Sequence, residues 1–307
     1  MAVTRSQVLA VVRLIEPNVV AAQKLGPDAL PHLRKLIRDE DIGLARRAAS
    51  VATKISDARA VSVVTVATQS PHPEVRLAAA AELWRLAKFD VAKPALRLIA
   101  DPDPSVRRRT LRSLLTIVQS TALKPAVRRV VEAAATRDAH PANRFLAAAI
   151  VRRENGSSPT AEDVRGALAA GVPVRELAPG LGRDALEYLP ALVKARDANV
   201  AAEAVVLAAA LAAKDARPIV EQAASDRRAA VRAAAASVAG RVPRSQALTR
   251  MLLDDRDARV RAAALITAGR TKVPGLKKIA SNLADNDPDE RVRALAAEIL
   301  RGPTAGR

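Results

Sequence analysis

The sequence predicts an all-α fold, an alpha-alpha superhelix built from about eight to nine two-helix repeats. Three observations carry that expectation. The apolar residues are mainly Ala, Val and Leu, with aromatics at 1%; Ala and Leu are strong helix formers, and Ala lets helices approach closely. Few runs of β-branched or alternating residues sit between turn signals. A short pattern, an acidic residue three positions before a Val or Leu that opens an Ala-rich helix, recurs along the whole chain.

The repeats can be aligned in order on that opening Val or Leu, taken as position zero. "DIGLARRAASVATKI" places Leu44 there, "HPEVRLAAAAELWRL" Val75 and "DPDPSVRRRTLRSLLTI" Val106. Asn143, Val174, Val200, Val231, Val260 and Val292 follow, with successive spacings of 31, 31, 37, 31, 26, 31, 29 and 32 residues. A period near 30 marks stacked helical units, each a first helix, a turn and a second helix. "NVVAAQKLG", from Asn18 to Gly26, reads as a truncated opening unit. "PDALPHLRKLI", "AKPALRLIA" and "ALEYLPALVKA" read as first helices. Positions 0, 4, 8 and 11 of the second helices form one apolar stripe, as in Val75, Ala79, Leu83 and Leu86 or Val106, Thr110, Leu114 and Ile117.

Position −3 holds Asp41, Asp103, Asp197, Asp257 and Asp289. A carboxylate there can accept from the free N–H groups of the second helix and suits its dipole. Pro104 and Pro288 stand near first-turn positions, where a missing N–H costs nothing. His72 and His140 fill the same −3 slot, so they too read as caps. The sixth unit, "GVPVRELAPGLGRD", carries Pro173, Pro179, Gly180 and Gly182, so its second helix must be very short. Before it lies the polar stretch "ENGSSPTAED", in which Thr160 and Asp163 can cap the next helix. The chain is therefore read as a single array over 1–307, with a seam at 154–182 dividing 1–153 from 183–307.

The pattern Asp-x-x-Val-Arg-x-x-Ala-Ala, as in "DARVRAAA" and "DERVRALAA", resembles the HEAT repeat, in particular the short kind found in phycobilin lyases and bacterial scaffold proteins. The resemblance covers nearly the whole chain. It implies that the Arg at position +1 ladders to the cap Asp of a neighbouring repeat, at Arg76, Arg107, Arg144, Arg232, Arg261 and Arg293. Ala45 and Ala201 stand at that position in two repeats, where the ladder should be interrupted. The resemblance is nearly silent on function, because the fold hosts many activities.

Motifs of chemistry are few. The chain has no cysteine, which removes disulfides, thiolate catalysis and Cys-based zinc sites. "GLGRDA" lacks the third glycine and the preceding strand of a dinucleotide fingerprint. "DNDPDERVRALA" begins like a calcium loop but has Glu290 where Gly is required and Ala296 where Glu is required. His32 has no acidic partner at ligand spacing. The expectation is of a protein that is not an enzyme, with no catalytic residue, no metal ligand and no cofactor. No stretch is long and apolar enough to span a membrane, and the N-terminus lacks a signal-peptide pattern, which fits the cytoplasm.

The charge points to a partner. The formal net charge is +18, which favours an anionic counterpart. Residues 1–150 hold 24 Lys and Arg against 13 Asp and Glu; the remainder holds 26 against 19. Second helices of this fold usually line the concave side. Their outward positions 2, 3, 6 and 10 hold Arg46, Arg47, Lys54, Arg85, Arg108, Arg109, Arg112 and Arg153 in the first half. In the second half Ala233, Ala234, Ala262, Ala263, Ala294 and Leu295 replace them. The first functional reading is a scaffold or adaptor that binds an acidic protein partner through its concave face. The alternative is a sequence-nonspecific nucleic-acid-binding array contacting phosphates, because scarce aromatics disfavour base stacking. A third, of the HEAT-like DNA glycosylase or lyase kind, rests on Trp84 beside Glu82 alone. Nothing in the sequence sets the oligomeric state.

Overall fold

A computed structural model describes residues 3–14 and 19–301, and the described residues are helical, without strands. Asn18 of the expected opening unit lies outside the described residues; the helix that follows runs from Val19 to Leu25. Contacts divide the chain into two compact units, Met1–Ser158 and Pro159–Arg307.

In the first unit the helices are α1 (Arg5–Val12), α2 (Val19–Leu25), α3 (Leu30–Leu36), α4 (Ile42–Lys54), α5 (Ala58–Ala67), α6 (Pro73–Ala81), α7 (Ala92–Ile99), α8 (Pro104–Ile117), α9 (Pro125–Arg137) and α10 (Pro141–Glu154). The second helices α4, α6, α8 and α10 pack in sequence to form one layer, and the first helices α3, α5, α7 and α9 form the other. The expected stripe is the seam between layers: Val75, Ala79, Leu83, Leu86, Val106, Thr110, Leu114 and Ile117 are all buried. Ala48, Ala49, Ala52, Ala79 and Ala80 are fully buried, where a methyl group permits close approach of helices.

The second unit holds α11 (Ala161–Ala169), α12 (Val174–Leu177), α13 (Leu189–Val193), α14 (Ala198–Leu211), α15 (Arg217–Ala224), α16 (Ala229–Val238), α17 (Gln246–Leu253), α18 (Ala258–Thr271), α19 (Leu276–Asn286) and α20 (Glu290–Arg301). Here α14, α16, α18 and α20 pack in sequence. The proline-rich sixth unit leaves α12 a single turn, followed by a 3-10 turn at Ala178–Gly180. Thr160 and Asp163 form the expected capping box at α11. Tyr188 donates to the carbonyl of Pro159 at 3.2 Å. Burial, with Asp163 and Asp184 nearby, pushes its hydroxyl up to about 12.

Caps follow the sequence in part. Asp41, Asp103, Asp197, Asp257 and Asp289 each accept from a backbone N–H of the helix they precede. His72 and His140 occupy N-cap positions with extended backbones, but neither side chain caps. Pro73 and Pro141 follow them at the first helical position, as Pro104 follows Asp103, which does cap, so the difference lies in the side chain and not in the proline.

The arginine ladder exists with a different partner. Arg76 binds Asp101 through Nε (2.7 Å) and a terminal nitrogen (3.0 Å), and Arg107 binds Asp138 likewise at 2.7 and 3.1 Å. Arg232–Asp255 and Arg261–Asp287 repeat the geometry in the second unit. These aspartates stand two residues before the cap, not at it. Each also accepts from the N–H of the cap residue, at 2.9–3.0 Å, so one carboxylate both shapes its own turn and receives the neighbour's arginine. The arginine's third nitrogen reaches back to carbonyls of its own turn, as Arg107 does to Asp101 and Pro102. Arg144 and Arg293 keep only that backward half among their described hydrogen bonds.

The ladder was expected to break at Ala201, and the structure fills the gap from the other side. Arg228 stands in the slot where other repeats carry the capping carboxylate. It binds Asp226 of its own turn at 2.8 Å and the carbonyls of Ala195 and Val193 in the preceding repeat. Asp226 and the Ala195 carbonyl are the partners that an arginine at 201 would have joined, by the pairing seen at Arg107.

Besides α12, two second helices break before their end. In α6 the α-helix stops at Ala81 and a 3-10 turn runs over Leu83–Leu86; α16 gives way to a 3-10 turn at Ala239–Arg241. In each case a hydroxyl from the next second helix takes a buried carbonyl just before the break: Ser113 donates to Ala80 at 2.6 Å, and Thr267 to Ala236 at 2.8 Å. Both hydroxyls sit at position +7 of their repeat, inside the seam, so they serve carbonyls shielded from water.

Candidate binding pocket on the second-helix layer

The eight predicted cations all lie in the first unit, but the structure sorts them. Arg46 and Arg109 are exposed and make no ion pair among the described residues. Arg47 is half-buried, and its Nε donates to the Val12 carbonyl at 2.9 Å, tying α1 to α4. Lys54 is buried, with 7% of its side chain exposed; its Nζ lies 2.5 Å from Glu82 Oε1 and 2.8 Å from Ser50 Oγ. Arg85 binds the other oxygen of Glu82 at 2.6 Å and stacks over Trp84, 4.5 Å from the ring centre. Arg108 donates to Asn143 Oδ1 at 3.4 Å and, like Arg112, has further polar contacts. Arg153 is half-buried on α10.

Glu82 organises this region. It follows the last α-helical residue of α6, where the helix breaks, and stands one repeat beyond Lys54. Burial pushes its carboxyl up, but the hydrogen bonds and charges of Lys54 and Arg85 outweigh that and hold it below the ordinary value. Two of the eight cations are thereby committed to an internal pair. The same contacts engage the Glu82 carboxylate twice and place Arg85 over one face of Trp84, whose side chain remains exposed.

Arg46, Arg47, Lys54 and Arg109 nevertheless meet. Together with Ser50, Glu74 and Glu82 they ring a pocket of about 520 Å³ between α4, α6 and α8, floored by Leu77, Ala78 and Ala81. Arg85, Arg108, Arg112 and Arg153 do not line it. Of the four cations that line this pocket, Arg46, Arg47 and Arg109 make no ion pair among the described residues, and Arg47 is held by the Val12 carbonyl. That arrangement can hold a carboxylate or phosphate oxygen between guanidinium groups while apolar atoms pack on the floor. Ser50, Glu74 and the floor residues were not singled out by the sequence reading. The signal for Glu82's role was there: an acid placed one repeat after a lysine on neighbouring faces.

In the second unit Ala233, Ala234, Ala262, Ala263 and Leu295 are half-buried and Ala294 is exposed, but Arg241 and Arg270 at position 10 and Glu298 at position 6 are exposed, so that face keeps charges of both signs. Among the described residues no group of three or more His, Asp or Glu could hold a metal ion, and no helix is long and apolar enough to cross a membrane.

No protein-family model matches the chain, and no curated protein matches it. Solved structures do. A homology model of the full-length AP-3 complex in an intermediate open conformation is 11% identical, over 97% of this chain and 68% of that one, with a TM-score of 0.45. Human deoxyhypusine hydroxylase is 17% identical over 87% and 96%, with a TM-score of 0.32. The CpcE–CpcF complex of phycocyanin lyase from Nostoc sp. PCC7120 is 15% identical over 91% and 89%, with a TM-score of 0.28. The likeness lies in the helical fold. Two of these three are enzymes by name, which overturns the expectation that the chain is not an enzyme: missing catalytic motifs do not separate it from helical chains that do chemistry.

Proposed function

We propose that the protein is a HEAT-like helical-repeat scaffold of the cytoplasm that binds an acidic segment of a protein partner at the second-helix pocket of its first unit. One observation carries the reading: Arg46 from α4 and Arg109 from α8, two repeats apart, line one pocket and lack an ion pair among the described residues. Two like charges brought to one place repel each other mildly, and an anionic side chain between them removes that cost. The floor of Leu77, Ala78 and Ala81 suits an apolar neighbour of the acid.

The same sorting favours a peptide over a nucleic-acid duplex. A duplex is gripped by a row of cations, each free to release counterions. Here Lys54 and Arg85 are held by Glu82 and Arg47 by a backbone carbonyl. A compact acid-binding pocket needs only the cations that remain.

The test is fluorescence anisotropy with a labelled Glu-rich peptide carrying interspersed leucines, against random-sequence duplex DNA. The paired variant Arg46→Glu/Arg109→Glu should weaken the pocket-bound phase of peptide binding about a hundredfold, from two reversed charges at roughly 1–1.5 kcal/mol each. Peptide binding unaffected by that variant, or duplex binding that is tighter and lost on the same substitutions, would overturn the reading.

A further inference from the structure

The first-helix layer of the first unit carries a second groove, on the layer opposite the pocket described above. It encloses about 590 Å³ above α5, flanked by α3 and α7. Val61, Ser62 and Thr65 of α5 form its floor. The two hydroxyls ask for no outside partner: Ser62 donates to the Arg59 carbonyl at 2.8 Å and Thr65 to the Val61 carbonyl at 2.7 Å. The floor therefore presents mainly carbon. The half-buried ring of Phe89 closes one end.

The rim is cationic on both sides. Arg34 stands on α3, and Lys93 and Arg97 stand on α7. Arg34 and Lys93 make no ion pair among the described residues. Arg97 is aimed by Gln69, whose amide oxygen, turned toward it, accepts at 2.6 and 3.1 Å. The lone carboxylate of the lining, Asp90, already binds Lys124 at 2.7 Å. An apolar floor between two basic rims calls for an occupant with an apolar stripe and acid on both flanks.

We propose that this groove docks an amphipathic acidic helix of a protein partner. Charge complementarity favours such a helix: Arg34 from α3 and Lys93 and Arg97 from α7 flank the α5 floor on two sides, which acid on both flanks of one apolar stripe matches. In the docked state leucine-like side chains of the partner cover Val61 and Phe89, and its glutamates pair with Arg34 on one flank and Lys93 and Arg97 on the other. With its two layers occupied separately, the unit can hold two acidic segments at once.

The experiment uses the full chain and a fluorescent helical peptide with leucines at i, i+4, i+7 and i+11 flanked by glutamates. The probes for comparison are the same peptide with lysines in place of the glutamates, and phosphatidylcholine vesicles containing phosphatidylserine. The expected result is saturable binding of the acidic peptide, weakened about tenfold or more by Lys93→Glu/Arg97→Glu and equally by Ser62→Trp, which fills the groove without changing charge. Arg46→Glu/Arg109→Glu should leave a groove-bound fraction intact, so failure here and failure at the other pocket are told apart. Circular dichroism of each variant checks that the helices remain. No saturable binding, equal binding of the lysine peptide, vesicle binding that outcompetes the peptide, or insensitivity to both groove variants overturns the proposal.

Discussion

Replacing Arg261 with methionine should destabilise the second unit by about 3–5 kcal/mol, the cost of leaving a buried charge without its partner. The magnitude follows from the geometry. The guanidinium binds both oxygens of Asp287, at 2.7 and 2.6 Å, with 10% and 1% of the two side chains exposed. It also donates to the Asp255 carbonyl at 2.8 Å. Methionine keeps the hydrophobic stem but leaves the Asp287 carboxylate with only the N–H of Asp289 among its described hydrogen bonds. The assay is chemical and thermal unfolding followed by circular dichroism. At about 2–4 °C per kcal/mol for a unit of this size, the midpoint should fall by roughly 10 °C. The pH profile is a second readout. The Arg261 hydrogen bonds hold the Asp287 carboxyl below its ordinary value, against the opposing push of burial. A depressed folded value means that this stabilisation is present above the unfolded carboxylate pKa, near 3.9, and is lost as pH falls through the folded value. The variant should lack that part of the acid limb. The double variant Arg261→Met/Asp287→Leu should recover most of the loss, since replacing both partners removes the stranded charge. A loss below about 1 kcal/mol for Arg261→Met would place the rung among ordinary surface pairs and refute the account of the ladder.

Other expectations can be checked in the same way. Ser113→Val should cost about 1–3 kcal/mol in an unfolding titration, because the buried Ala80 carbonyl loses its donor, while Ser113→Thr should cost much less. Gly240→Ala should cost about 1–3 kcal/mol: the added methyl would stand 2.5 Å from Thr271 Cγ2 and 3.1 Å from Thr267 Cγ2. Thr271→Ser in the same chain should restore part of that loss. Glu82→Gln should lower stability, because it strands the buried Lys54, yet tighten acidic-peptide binding several-fold in the anisotropy assay by removing a negative charge from the pocket lining and freeing Lys54. Weaker binding by that variant would count against the pocket.

The repeat was legible because it is local. Helix propensity, a stripe at positions 0, 4, 8 and 11, and an aspartate placed to cap the following helix are all set by residues within one turn or two of each other, so reading along the chain finds them. The length of α12 followed in the same way from Pro173, Pro179 and two glycines. What the sequence could not show were pairings one repeat apart. Arg261 has several aspartates within reach along the chain, and only stacking places the one before the cap, Asp287, against it. Arg228 reads as a broken cap until the neighbouring turn brings the Ala195 and Val193 carbonyls to it. The charged face shows the same division. Composition and periodicity placed eight cations on one kind of surface. Tertiary packing then buried Lys54, gave Glu82 to it and to Arg85, and left Arg46 and Arg109 beside one apolar floor. Whether a charge is spent inside the protein depends on distances of a few ångströms between helices that are some 30 residues apart in the chain, and sequence periodicity does not encode those distances.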